Sequence, residues 1–159
     1  MSATQTILTI GGILLLTFLI LSYYRSSGTQ TEISINNEAI ITGTGIAQSL
    51  FDEIQGKAFD ENTTTTSVSD PNSLSSTPGK DSGESLRSSF DDVDDYRLFT
   101  TNDTLSTLGV FRSDIDVHYV SASNPDVISY TRTFAKRIDI TVTNDFLTDT
   151  LKFSQIISY

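Results

Sequence analysis

Cysteine is absent from this chain, and histidine occurs once, as His118. With no thiol and a single imidazole, there is no material for cysteine–histidine catalysis or for a zinc site of the usual thiolate and imidazole kind. The missing cysteines leave the redox compartment open, because an oxidising space permits disulfides without demanding them. Basic residues are also scarce. Ten Lys and Arg face 20 Asp and Glu, giving a formal net charge of −10 and a pI near 4.3. Phosphate backbones need a basic footprint, so this balance excludes nucleic acid as a partner. It argues equally against peripheral adsorption on anionic lipid. The most telling absence is local: no charged side chain stands between Ser2 and Tyr24, and Arg25 carries the first one.

That uncharged stretch is apolar. Residues Ile7 to Leu21 read ILTIGGILLLTFLIL. At 1.5 Å per residue, about 18 to 20 helical residues reach roughly 30 Å, the thickness of a hydrocarbon core. A cleaved signal peptide would carry a basic start and small residues at its cleavage site. Here the segment before Ile7 is uncharged, and Ser22-Tyr23-Tyr24 places aromatics where small residues belong. A buried core helix would need apolar surroundings that the later chain does not offer. The segment therefore reads as an uncleaved transmembrane anchor over residues 1–25, with Ile7, Ile10, Ile13, Leu14, Phe18 and Leu21 facing lipid or neighbouring helices. Tyr23 and Tyr24 suit the interface. Charge does not fix the orientation, since the only positive side chain near either end is Arg25.

Residues 26–61 continue the helix after a polar hinge, SSGTQT (Ser26 to Thr31). Ile33, Ile40, Ala47 and Ile54 recur every seven residues, with Gly43, Leu50 and Ala58 on the same stripe, an amphipathic helical pattern. Ile40, Ala47, Leu50 and Ile54 are the expected contacts with the rest of the domain. Gly43 and Gly45 mark either a bend or a close approach. Residues 62–89 are rich in Ser and Thr and broken by Pro71, Pro78, Gly79 and Gly83, which reads as a long exposed loop, mobile in its middle. Asn62 and Asn102 open glycosylation-like triplets too short to carry weight.

Residues 90–159 are expected to hold an acidic turn and then an antiparallel sheet. Phe90, Val93 and Tyr96 form a short apolar face, and Ser89 with Asp92 fits an N-cap. Asp91, Asp92, Asp94 and Asp95 leave two possibilities open. They fan into water from a capped turn, or they gather a hard cation such as Ca²⁺ through oxygen ligands. Ile115, Val117 and Tyr119 alternate with Asp114, Asp116 and His118; Ile138, Ile140 and Val142 alternate with Arg137, Asp139 and Thr141. A last strand takes in Leu151, Phe153 and Gln155 to Ile157. Period-two alternation with one polar face predicts an antiparallel sheet of about three to four strands, whose dry face packs on the stripe of residues 33–58. The fold class is α+β. No catalytic motif is present, and His118 reads as a surface residue between aspartates.

An apolar N-terminal helix that turns amphipathic and is capped by an antiparallel sheet resembles type IV pilins and pseudopilins. More specifically, AQSLFDEIQGKAFDE (Ala47 to Glu61), FDDVDDY (Phe90 to Tyr96) and KRIDITVT (Lys136 to Thr143) resemble, in that order, minor pilins of the mannose-sensitive haemagglutinin D type. One departure stands: such precursors have a leader ending in glycine, then an aromatic and a glutamate in the helix, whereas Thr4 to Ile10 reads TQTILTI. The resemblance implies a pilin-like fold and a non-enzymatic filament subunit needing no cofactor and no small-molecule substrate. Its partners would be other pilin-like subunits, membrane assembly proteins and the lipid bilayer. It would be held in the inner membrane with its C-terminal domain outside the cytoplasm, or in an extracellular filament. A membrane-anchored adhesion or scaffolding domain outside any filament is the alternative.

Overall fold

The computed structural model describes residues 2–159. Helix α1 spans Ala3–Gln55, and five strands follow: β1 (Phe99–Leu105), β2 (Gly109–Ser121), β3 (Asn124–Ile128), β4 (Ala135–Thr143) and β5 (Leu151–Ser158). The chain divides into two compact units at Glu38/Ala39. In the first unit, the expected hinge at Ser26 to Thr31 is helical throughout. Gly28 lowers helix propensity by only about 1 kcal/mol, which does not interrupt a helix already nucleated on both sides.

The second unit is an antiparallel sheet with one helical segment packed on it, the α+β arrangement expected from the alternation. Sheet order is β1-β2-β4-β5, with β3 paired to the far end of β2. The register sets Ile115 opposite Ile140 and Val117 opposite Ile138. With side chains alternating along each strand, this register puts Phe111, Ile115, Val117, Ile138, Ile140 and Val142 on one buried face. There are five strands rather than three or four. β1 reads FTTNDTL and lacks an apolar alternation, while β3 is a short strand containing Pro125, whose missing N–H confines it to an edge.

Residues 39–55 of α1 bury Ala39, Gly43, Ala47, Leu50, Phe51 and Ile54. Ala47, Leu50 and Ile54 thus take the places the stripe assigns them, but Ile40 does not: it is 37% exposed. Small residues occupy the inward positions at this end, and a Cβ on Gly43 would lie 2.9 Å from Leu151 Cδ1. The close approach expected near Gly43 and Gly45 therefore occurs at Gly43, against the sheet. With Ala39 turned inward, Ile40 lies about 100° further round the helix and falls on the flank. Ile33, in the first unit, is exposed as well. The helix stops at Gln55 in a tight turn in which Gly56 N–H bonds Glu53 O at 3.2 Å and Lys57 N–H bonds Ile54 O at 3.1 Å.

The Ser/Thr-rich segment is exposed for most of its length but anchored in two places. Leu74 is buried with Phe59 and Tyr119, and Ser75 donates from both N–H and Oγ to Asp60. Composition alone conceals these anchors, because each needs one residue in a polar run and a partner distant in sequence.

Candidate functional site

Two features carry chemistry beyond ordinary packing. The first is the apolar part of α1. Ile7, Leu8, Ile10, Ile13 to Leu16 and Phe18 to Leu21 are 46–71% exposed. Leaving one such side chain in water forfeits about 1.5 to 3 kcal/mol, so the run stands to gain tens of kcal/mol from any apolar cover. The helix is long and apolar enough to cross a membrane. Its hydroxyls are satisfied internally: Thr9 Oγ1 donates to Thr6 O at 2.9 Å and to Gln5 O at 3.1 Å, and Thr17 Oγ1 donates to Ile13 O at 2.8 Å. These polar groups therefore need nothing from lipid. Tyr23 and Tyr24 close the run edge-to-face, 6.2 Å between ring centroids.

The second feature is the acidic turn, and here the expectation of carboxylates fanning into water is corrected. Only Asp91 is exposed; Asp92, Asp94 and Asp95 are buried. A parallel bridge pulls the turn inward, with Ala58 N–H bonding Asp91 O and Val93 N–H bonding Ala58 O, each at 3.0 Å. Phe90, Val93 and Tyr96 are buried in consequence, and Phe90, Tyr96 and Phe99 stack edge-to-face. Glu53 of α1 accepts from Tyr96 Oη at 2.7 Å and pairs with Arg87. The Ser89 cap does not form: its hydroxyl donates back to Leu86 O at 2.6 Å. Asp92 Oδ1 instead accepts the Asp95 N–H at 3.1 Å.

Asp94 also leaves the expected cation quartet. Its Oδ1 lies 2.7 Å from Nζ of Lys136, which is fully buried. Lys136 shares the inward parity of Ile138, Ile140 and Val142 on β4, so the strand delivers an ammonium into the core. There Nζ donates to Phe59 O at 2.6 Å and to Asp60 Oδ2 at 3.1 Å, and it lies over the rings of Phe59 and Tyr119 at 4.4 and 4.9 Å. Asp60 is further bonded by Tyr119 Oη at 2.8 Å and by Ser75 and Asn62.

This surplus of donors explains why two carboxylates sharing one lysine shift in opposite directions. Burial opposes ionisation of Asp60, but Lys136 and the surrounding hydrogen bonds outweigh it and hold the carboxyl down at about 2. Asp94 has only the lysine, and burial pushes it up to about 7. Burial, then the charges of Asp94 and Asp95, push Asp92 up to about 8. The turn thus buries more carboxyl groups than its one buried lysine can hold ionised.

Two residues outside the acidic run complete the picture, and sequence reasoning missed both. Lys136 was legible by strand parity; Glu84 was not, since nothing in the Ser/Thr-rich run distinguishes it. One carboxylate oxygen each from Glu84, Asp91 and Asp95 lies within 4.8 Å of the others. His118, half-buried on β2, pairs with Asp116 Oδ2 at 3.0 Å.

No family model matches the chain, and neither does any curated protein or solved structure.

Proposed function

We propose that this protein is a single-pass membrane protein of pilin-like type, a non-enzymatic filament subunit that assembles through its N-terminal helix. The observation that carries this reading is the unbroken exposed apolar surface from Ile7 to Leu21 on a helix that also forms the packed spine of an α+β unit. In the bilayer, lipid covers that surface. In a filament, the same faces of neighbouring helices cover one another, and residues Gly11 and Gly12, where an added Cβ would meet nothing within this chain, allow close approach. The resemblance of FDDVDDY and KRIDITVT to minor pilins supports the filament over an isolated anchor, and it also supports placing the α+β unit outside the cytoplasm. Partners on this reading are other pilin-like subunits and membrane assembly proteins.

The test is physical separation. Cells carrying a C-terminally tagged chain are sheared, and filament and membrane fractions are blotted. Tagged protein is expected in the sheared filament fraction alongside a membrane pool. Confinement to the membrane fraction, with filaments recovered from the same cells, would replace the filament subunit with a standalone anchored envelope protein.

A further inference from the structure

Among the described residues, no lysine or arginine forms an ion pair with Glu84, Asp91 or Asp95, and Lys57 Nζ, close by, donates to Phe90 O at 2.7 Å. Asp95 is 1% exposed. Its Oδ2 accepts the N–H groups of Asp91 at 3.1 Å and Asp92 at 3.4 Å, while its Oδ1 is buried with no hydrogen-bond donor. Asp92 Oδ2, on the adjoining residue, is buried and equally without a donor. Glu84 Oε2 accepts the Asp81 N–H at 3.1 Å, and one of its carboxylate oxygens lies within 4.8 Å of one from Asp95. Two facing carboxylates repel unless a proton or a cation lies between them. The buried lysine is already committed to Asp60 and Asp94, and Lys80 Nζ lies over the rings of Phe90 and Phe99.

We propose that Glu84, Asp91 and Asp95 bind a divalent cation of the calcium type, which clamps the Ser/Thr-rich segment onto the acidic turn. The ligand set is all oxygen, which suits hard cations and not zinc or copper. Ca²⁺ accepts irregular oxygen shells drawn from carboxylates of separate segments, whereas Mg²⁺ demands a near-ideal octahedron and keeps more of its water. A cation seated there turns the repulsion between the facing carboxylates of Glu84 and Asp95 into shared ligation. The site owes nothing to the filament reading and stands or falls separately from it.

The test uses the full chain in detergent, stripped with EGTA, near pH 8. Melting is followed in CaCl₂, MgCl₂ and NaCl of matched ionic strength, with calorimetric titration of Ca²⁺. Calcium is expected to raise Tm by several degrees beyond NaCl, and magnesium to raise it less. Glu84→Gln is expected to weaken calcium binding about tenfold or more while melting no lower than wild type in NaCl, since one repulsion is gone. Asp52→Asn, on the exposed face of α1, retains the calcium response. Equal melting in CaCl₂ and NaCl overturns the site, as does a calcium response that survives both Glu84→Gln and Asp95→Asn.

Discussion

Asp60 and Asp92 show how two residues of one type come to act oppositely. Asp60 meets a lysine, a tyrosine hydroxyl and the donors of Ser75 and Asn62, so its charge is better solvated by protein than many surface carboxylates are by water. Asp92 is as deeply buried, but Lys136 is a lesser influence on it than burial and its acidic neighbours. The signs of their pH linkage follow. Between about pH 4 and pH 8 the folded chain holds protons on Asp92 and Asp94 that the unfolded chain has released, so stability falls as pH rises through that window. Asp60, held down at about 2, contributes stability above its ordinary value of 3.8 that is lost as pH falls below about 4. In metal-free buffer the melting temperature of the full chain should therefore peak at about pH 4 to 5. Asp92→Asn should flatten the limb above that peak. A Tm that climbs steadily from pH 5 to pH 8 would contradict the burial of these carboxyls.

At the scale of elements, the helix–sheet contact is set by which residues of α1 are small. Ala39, Gly43 and Ala47 are the small inward residues, with Gly43 set close against Leu151, and Leu50, Phe51 and Ile54 supply the large buried side chains toward the helix end. This order makes a graded mutational series. Ile54→Ala removes a fully buried side chain and should cost about 2 to 5 kcal/mol. Ile40→Ala, on the flank, should cost well under half of that. Gln48→Ala loses only an exposed bond to Asp52 and should cost under about 0.5 kcal/mol. Chemical denaturation of the full chain in detergent ranks the three. Equal losses at positions 40 and 54 would mean that the stripe is not the core.

For the whole molecule, the question is what the apolar N-terminal segment does. Its exposed run is too large to leave in water. Leu15→Arg places a charge near the middle of that run, at a cost of about 2.5 to 3.5 kcal/mol for insertion. Cell fractionation should show a sharp fall in membrane retention while the α+β unit remains folded. Full retention with the integral membrane proteins would end the anchor account.

The sequence by itself determined the features that are local and periodic. An uncharged apolar run is a property of consecutive residues, and period-two alternation places Ile115, Val117, Ile138, Ile140 and Val142 on one face without knowledge of any partner. The same parity already turned Lys136 inward. What only the tertiary structure decided depends on pairs far apart in the chain. Burial of the acidic turn rests on its bridge to Ala58, and the fate of Asp94 rests on a lysine on β4. Glu84 became significant only because its loop brings it against Asp95. A carboxylate written in sequence reads as solvated, because water is its default partner. Folding replaces that water residue by residue, and whether a lysine, a backbone N–H or nothing takes its place is settled by the packing of distant segments.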